Sequence, residues 1–345
     1  MPYSALTKIF VLTSLSFVVS LIVTPFLTAF LYKYKLGKNI RSNGDTPLFT
    51  KMHAAKAGTP TMGGVLIWGV TIFLCAFFWV CDRLLHIQSF HYFNFLTRKE
   101  TLLPLGAFLG ASLVGLADDF LEIKKLGKNH SGFRFRFKFL LYGLVAAIGA
   151  WWFYAKLGFN YVNVPLVGNV TLGWWFIPFF ILAVIATSFA VNQTDGLDGL
   201  AGGTLMIAFF AYGVIAYLQG RDNLAAFIAV ICGSLLAFLW FNVNPARFFM
   251  GDTGSMGLGV LLAIVAFLTN SPLLLIFIGF IFVIEAASTI IQILSKKIFH
   301  RKVFLSAPIH HHFEALGWPE PKIVMRFWII AAVFSIVGMI IYFIK

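Results

Sequence analysis

Two adjacent carboxylates, Asp118 and Asp119, end an apolar stretch in the run Gly115-Leu-Ala-Asp-Asp-Phe. Carboxylates in such a place can act as general bases or bind a divalent cation. Neighbouring residues of a helix point about 100° apart, so we expect the two side chains to divide these roles rather than to chelate one ion. The alternative interpretation is a solvated helix end, which an Asp-Asp pair alone does not exclude.

A second acidic motif is rich in glycine. Asp195 and Asp198 stand in Asn192-Gln-Thr-Asp-Gly-Leu-Asp-Gly-Leu-Ala-Gly-Gly. Their spacing of three residues predicts that both carboxylates lie on one face of a helix, and the glycines allow a ligand or another backbone to come close. A helix N-cap explains one Asp at this position, but not two with an Asn beside them. The motif therefore favours a binding site.

Asp252 precedes an apolar segment in Asn242-Val-Asn-Pro-Ala-Arg-Phe-Phe-Met-Gly-Asp-Thr-Gly-Ser. The free N–H groups and positive dipole end of a helix N-terminus suit a phosphate. A carboxylate at that point can hold the Mg²⁺ that accompanies the phosphate. The pattern therefore predicts a phosphate and magnesium site, and a plain Asp or Thr N-cap is the alternative.

Three consecutive histidines, His310, His311 and His312, stand in Ala307-Pro-Ile-His-His-His-Phe-Glu, which we expect to be a loop. Three adjacent imidazoles cannot all bind one ion. Taken alone, the run is typical of a metal-binding tract or an exposed surface segment, as well as of a catalytic cluster.

Other polar residues lie within or next to the apolar segments. Glu285 and Gln292 fall seven residues apart, so they are expected to share one helix face and to look into the protein interior, where an ionisable group is a functional candidate and a buried hydrogen bond is the alternative. A basic stretch suits either a lipid phosphate or anionic headgroups. It contains Lys124, Lys125, Lys128, Arg134, Arg136 and Lys138.

The amino-acid composition indicates whether these segments lie in water or in a lipid bilayer. Of the 345 residues, 60% are hydrophobic and only 11% are charged, against about 25% charged in a soluble domain. The apolar runs reach the roughly 20 residues that cross a bilayer as a helix. We therefore predict an all-α integral membrane protein, a single polytopic domain over residues 1–345 with ten transmembrane helices. The predicted spans are 8–32, 61–81, 101–118, 138–157, 173–190, 198–218, 224–241, 253–270, 272–295 and 325–343.

Lysine and arginine are distributed unevenly between the two sides of these spans. Eighteen of the 26 basic residues fall in the loops that also carry the acidic motifs. The positive-inside rule makes this side cytoplasmic, so we expect an active-site cleft that opens to the cytoplasm. The net charge of +13 then mainly reflects the orientation of the protein in the membrane and its attraction to anionic lipid headgroups. The chain has no room for a folded basic domain, so we expect no nucleic-acid partner.

Five motifs, in order along nearly the whole chain, resemble the phospho-N-acetylmuramoyl-pentapeptide transferase family, a branch of glycosyltransferase family 4. They are Lys56-xx-Thr-Pro-Thr-Met-Gly-Gly, Asp118-Asp119, Asn192-xx-Asp-Gly-Leu-Asp-Gly-Leu, Asn242-xx-Pro-Ala-xx-Phe-Met-Gly-Asp-Thr-Gly-Ser and Pro308-Ile-His-His-His-Phe-Glu. Any one motif is weak evidence, whereas five in sequence are specific. The triple histidine favours this family over relatives that use other amino sugars.

The resemblance implies a multi-pass enzyme of the bacterial cytoplasmic (inner) membrane, usually a homodimer. It implies that UDP-N-acetylmuramoyl-pentapeptide and undecaprenyl phosphate are joined with Mg²⁺ as cofactor, releasing UMP and forming lipid I of peptidoglycan synthesis.

The resemblance also implies roles for individual residues. Asp252 matches the family's Mg²⁺ ligand, Asp118 the base on the lipid phosphate, and Asp119 a second essential acid; His310, His311 and His312 match an essential cluster. Because Glu122 stands where the family usually has Lys, we expect Lys124, Lys125 or Arg134 to contact the lipid phosphate instead, with Lys125 and Arg134 as the predicted site residues. The positions expected to line the nucleotide pocket are Lys56, Thr61, Asn192, Asp195, Asp198, Asn242 and Phe249, with Phe249 stacked on uracil.

Several alternatives stay open at this point. The reaction can proceed by direct attack of the lipid phosphate on the donor's β-phosphate or through a covalent aspartyl intermediate. A UDP-N-acetylglucosamine 1-phosphate transferase would share the fold. An ion-coupled secondary transporter would instead place its acids near the membrane midplane, between broken helices.

Overall fold

The computed structural model describes residues 4–37, 56, 58–98, 100–124 and 132–344. Lys125 lies outside the described residues, so its predicted contact with the lipid phosphate stays a prediction. Helices make up most of the described part of the chain. Their bounds are Ala5–Lys33 (α1), Gly64–Leu85 (α2), Gln88–Phe93 (α3), Leu102–Ile123 (α4), Phe135–Trp151 (α5), Phe176–Thr194 (α6), Leu200–Leu218 (α7), Asp222–Asn242 (α8), Asp252–Leu268 (α9), Leu275–Ile278 (α10), Phe280–Phe299 (α11), Ile309–Ala315 (α12) and Glu320–Phe343 (α13).

The membrane prediction is confirmed. Within the described residues, eight helices are long and apolar enough to cross a membrane, and a bent pair can form a ninth span. The remaining apolar segment is α9, which has 17 residues and is therefore about 26 Å long at 1.5 Å per residue. Each of the ten predicted segments thus corresponds to helical structure.

The predicted span 272–295 is broken rather than continuous. Its first part, Pro272–Ile278, makes an angle of 84° with Phe280–Phe299. Pro272 begins a short 3₁₀ turn, and Gly279 lies between the two parts, where an added Cβ would come within 2.8 Å of the Leu275 carbonyl oxygen. The sequence pattern does not show this bend, because both parts must be hydrophobic in the membrane and their composition is therefore alike.

Helix α9 is the centre of the bundle, and every residue from Thr253 to Leu268 is buried. Glycines on three sides let neighbouring helices approach closely. A Cβ at Gly254 would lie 2.8 Å from the Cα of Gly64 in α2, and one at Gly259 would lie 2.6 Å from the Cα of Ser188 in α6. Helix α4 packs along a further side of α9. The first turn of α9 is therefore held in place by several neighbours.

Some secondary-structure elements were not predicted from the apolar pattern because they are short. After α5, a π-helix over Trp152–Lys156 leads to an antiparallel hairpin of Tyr161–Val164 (β1) and Gly168–Thr171 (β2), which pairs Tyr161 with Thr171. The histidines expected in a loop lie in the seven-residue helix α12 instead. A second apolar cluster underlies α12 and joins the starts of α7, α11 and α13. It comprises Leu197, Leu200, Ile281, Ile323, Val324, Phe327 and Ala331.

Candidate functional site

The site is assembled where the segment before α2 meets the segment before α9. The backbone N–H of Phe249 donates to the Pro60 carbonyl, and those of Gly63 and Gly64 donate to Phe249 and Met250, each at 2.8 Å. These hydrogen bonds bring the Lys56 motif to the Asp252 motif, as expected if both line one pocket. Thr61 is buried at this junction.

The acid cluster consists of Asp118, Asp119 and Asp252, together with Lys138 and Asn192. The Lys138 ammonium forms ion pairs with Asp118 and, at 2.8 Å, with Oδ2 of Asp252. The other oxygen of Asp252 accepts a hydrogen bond from Nδ2 of Asn192 at 2.9 Å. The ends of α4 and α6 and the starts of α5 and α9 therefore place two carboxylates around one cation.

Asp119 holds the start of α9. Its two oxygens accept hydrogen bonds from the backbone N–H groups of Asp252 and Thr253, both at 3.0 Å. A carboxylate at this end of a helix is favoured by the free N–H groups and the dipole. Asp118 instead accepts from the N–H of Phe133 at 2.6 Å. The two neighbouring acids thus have different partners, and the expected division of their chemical roles stays a prediction.

The lysine cluster consists of Lys56, Asp198, Glu320 and Asn244. The Lys56 ammonium donates to Oδ1 of Asp198 at 2.7 Å and to Oε1 of Glu320 at 2.6 Å. Oδ2 of Asp198 accepts from Asn244 and from the Ala246 N–H, each at 3.1 Å. Because the Lys56 side chain is 19% exposed, this cation can reach a ligand at the pocket surface.

Phe249 and Asn242 occupy opposite sides of the loop before α9. The half-buried Phe249 ring lies 5.9 Å from the Lys56 ammonium. The Asn242 side chain is buried; it accepts from the Gly199 N–H at 3.0 Å and donates to the Phe248 carbonyl at 2.8 Å. Asn242 therefore ties two loops together, whereas Phe249 presents an aromatic face beside a cation.

The prediction that Asp195 and Asp198 share a helix face is wrong. Helix α6 ends at Thr194 and α7 begins at Leu200, so both acids lie in the turn 195–199. Gly199 has a φ of +82°, which a side chain at that position would strain. One of the glycines that were expected to admit a ligand is thus the N-cap of α7.

The histidine cluster pairs two imidazoles with two acids. Nδ1 of His310 lies 2.9 Å from Oε2 of Glu285, and both side chains are almost completely buried. Nδ1 of His311 lies 2.5 Å from Oε2 of Glu314. His312 faces another way and accepts from the Leu305 N–H at 3.2 Å. The rings of His310 and His311 lie 4.0 Å apart, but each of the three histidines has a different hydrogen-bond partner.

Glu285 and Gln292 both look into the interior, as predicted from their spacing. Gln292 accepts from the N–H groups of Val303 and Phe304, each at 3.0 Å, and donates to the Phe304 carbonyl at 2.9 Å. Gln292 therefore fixes the segment that leads to α12, while Glu285 orients His310.

Replacement of Glu285 by leucine is expected to remove the carboxylate that pairs with Nδ1 of His310 within the described part of the chain. Since a buried donor without a partner costs about 1–3 kcal/mol, the free energy of unfolding should fall by about that amount. We expect kcat to fall at least about tenfold, and Glu285→Gln, which keeps a polar partner, to lose less of both. Thermal unfolding and turnover in detergent measure the two effects. Thr289→Val, one turn further along α11, is the control; equal behaviour of Glu285→Leu and the control would contradict this role.

One short segment joins the three clusters. Asn192 contacts Asp252 in the acid cluster, and Asp198 belongs to the lysine cluster. Between them, a Cβ at Gly196 would lie 2.3 Å from Nε2 of His310. The structure therefore places the clusters side by side along residues 192–198, and Asp195 lies in the same turn.

Three members of the acid and lysine clusters were not among the predicted site residues. Lys138 was assigned only to the basic stretch, and Glu320 and Asn244 were assigned no role. A lysine between Phe137 and Phe139, at the start of an apolar helix, was a usable signal for Lys138, because a charge there needs a partner. Glu320 resembles an ordinary acid at a helix N-terminus, so its contact with Lys56 was not visible in the sequence.

Comparison with known proteins places this helical, acid-bearing site in a class of membrane transferases. The family model described as glycosyl transferase family 4 matches residues 101–270. This range contains the acid cluster and Asp198.

Finer comparisons identify the family. The phospho-N-acetylmuramoyl-pentapeptide-transferase signature 1 matches residues 56–67. Proteins of that name are 39% identical in Chloroflexus aggregans, over 96% of this chain and 89% of that protein, and 40% identical in Clostridium perfringens, over 96% and 98%. One from Geobacillus kaustophilus is 38% identical over 95% and 96%. The chain belongs to the phospho-N-acetylmuramoyl-pentapeptide transferase family.

Proposed function

We propose that this chain transfers phospho-N-acetylmuramoyl-pentapeptide from UDP-N-acetylmuramoyl-pentapeptide to undecaprenyl phosphate, releasing UMP and forming lipid I for peptidoglycan synthesis. The observation that carries the proposal is the convergence of Asp118 and Asp252 on one cation. Transfer between two phosphates needs positive charge between them and carboxylates that hold a metal ion or act as a base. The names of the relatives support the identity of the transferred sugar.

The donor atoms of the acid cluster fit Mg²⁺. This ion usually takes one or two carboxylates and completes its shell with water and phosphate oxygens. Asp252 is the proposed ligand, and no group of three His, Cys, Asp or Glu in the described part of the chain forms a closed metal cage. When bound, Mg²⁺ neutralises charge on the phosphoryl oxygens and on the leaving UMP.

The lysine cluster is the proposed site for the donor nucleotide. Phe249 offers a ring on which uracil can stack, and Lys56 beside it offers charge for the donor's diphosphate. Asp198 and Glu320 hold that lysine at the edge of the acid cluster. The remaining proposed pocket residues are Thr61, Asn192, Asp195 and Asn242.

A groove beside the acid cluster fits the acceptor. It has a volume of about 650 Å³ and lies between α4 and the start of α5. Its lining combines Leu121, Phe133, Phe137 and Leu140 with Arg134 and Arg136, so it offers apolar surface for a prenyl chain and cations for its phosphate. Phe133 also donates its N–H to Asp118. We therefore propose that the acceptor phosphate enters here, where Arg134 pairs with it and Asp118 orients or deprotonates it for direct attack on the donor's β-phosphate.

Two further proposals concern the orientation of the protein in the membrane and its oligomeric state. The donor is a soluble nucleotide, and the site residues belong in sequence to the loops that are rich in lysine and arginine, so the proposed site faces the cytoplasm. We also propose the homodimer that is usual for the family. Cross-linking of the protein in native membranes distinguishes a dimer from a monomer.

Side-by-side turnover of two donors tests the proposed substrate. Purified protein with undecaprenyl phosphate and Mg²⁺ is expected to consume UDP-N-acetylmuramoyl-pentapeptide and to leave UDP-N-acetylglucosamine unused. The opposite preference would keep the fold and overturn the proposed substrate. The same protein incubated with labelled donor and no lipid tests the chemistry, because a trapped phospho-enzyme would contradict direct attack.

A further inference from the structure

Lys138 lies where a cation bound to Asp252 would lie. Its ammonium is 2.8 Å from Oδ2 of Asp252 and also pairs with Asp118. The Lys138 side chain is 20% exposed, whereas that of Asp118 is 1% exposed. The lysine therefore reaches the surface together with Asp252, whose side chain is 19% exposed, while Asp118 is buried.

Both carboxylates have protein partners besides this lysine. Asp252 is retained by Asn192 through its other oxygen, and its backbone N–H is bound to Asp119. Asp118 is retained by the Phe133 N–H. The two acids are thus held by contacts that do not involve Lys138, whereas the Lys138 ammonium pairs with the two acids themselves.

An ammonium and a divalent ion compete for these oxygens. Mg²⁺ binds oxygens at about 2.0–2.1 Å, so an ion on the side of Oδ2 of Asp252 that faces Lys138 would overlap the nitrogen 2.8 Å from that oxygen, and the two charges would repel. The groove lined by Arg134 and Arg136 opens next to Lys138 on α5. An acceptor phosphate in this groove would offer the displaced ammonium an anion.

We propose that Lys138 is a displaceable counterion, which holds Asp118 and Asp252 together until a divalent ion binds and then turns to the acceptor's phosphate. The proposal rests on the proposed function, since it takes the acid cluster as the metal site. The lysine then neutralises the two acids and the acceptor phosphate in turn, so one side chain couples metal binding to acceptor binding.

The test is the affinity for Mn²⁺, measured by electron paramagnetic resonance on purified protein without substrates. Lys138→Met is expected to bind Mn²⁺ at least about tenfold more tightly than the unaltered protein, because the competing charge is removed. Lys156→Met, an exposed lysine at the other end of the same span, is the control and should leave the affinity unchanged. Affinity in Lys138→Met that is equal to or weaker than that of the control would overturn the proposal.

Two further measurements distinguish an error in the role of Lys138 from an error in the proposed donor. Without Lys138 the paired acids repel each other, so Mn²⁺ should raise the thermal unfolding temperature of Lys138→Met more than that of the unaltered protein. An equal rise in both would also overturn the proposal. Because neither measurement includes a nucleotide, an error in the proposed donor would leave the Mn²⁺ result unchanged and would appear only as failed turnover.

Discussion

Substitution of Asp252 by asparagine is expected to lower kcat by at least about 10³-fold, which corresponds to about 4 kcal/mol of transition-state stabilisation. Asparagine keeps the size of the side chain and can still accept the hydrogen bond from Asn192, which lies at 2.9 Å. The substitution therefore removes the negative charge and leaves the packing of α9 intact. UMP release, together with the thermal unfolding temperature, distinguishes lost chemistry from lost structure.

Asp222→Asn provides a matched control. Asp222 is also the first residue of a transmembrane helix, α8, but it is exposed and lies at the end of α8 away from the acid cluster. Its substitution should leave kcat within about twofold, as for surface changes away from special contacts. If both variants lose activity equally, the charge of Asp252 has no special role.

Substitution of Gly115 by alanine is expected to reduce kcat by about 10²-fold or more, although this residue carries no functional group. A Cβ here would lie 2.3 Å from the carbonyl oxygen of Asp252 and 2.6 Å from the backbone nitrogen of Thr253. Backbone atoms cannot rotate away, so α4 and α9 must separate. A displacement of about 1 Å at a catalytic group can cost about 10²-fold in rate.

Gly106→Ala on the same helix tests this explanation. No atom lies within 4 Å of a Cβ at Gly106, so the same change of side chain should leave kcat and stability nearly unaltered. Activity measured on equal amounts of folded protein is the readout. Full activity of Gly115→Ala would show that the close approach of α4 to Asp252 is not required.

The apolar pattern predicted the helices well because the bilayer imposes length and composition on each of them. It could not predict the bend beside Gly279, since both sides of the bend contact apolar surroundings. The turn 195–199 was mispredicted for a related reason. A three-residue spacing indicates a shared face only within a helix, and here α6 ends at Thr194 and α7 begins only at Leu200.

The chemical types of the site residues were visible in the sequence, but their pairing was not. Asp118, Asp252 and the histidines were identified as candidates because they are polar groups beside apolar segments, where a structural or functional role is expected. The contact between Lys138 and Asp252 joins residues 114 positions apart, and that between Lys56 and Glu320 joins residues 264 apart. Such pairs depend on helix packing, which spacing along one segment does not report.

The most direct test of the proposed reaction is UMP release by the purified protein in liposomes, with each component omitted in turn. We expect UMP and an equal amount of lipid-linked product only when UDP-N-acetylmuramoyl-pentapeptide, undecaprenyl phosphate and Mg²⁺ are all present. UMP release that persists without the lipid acceptor or without Mg²⁺ would contradict a metal-assisted transfer between the two phosphates at the acid cluster.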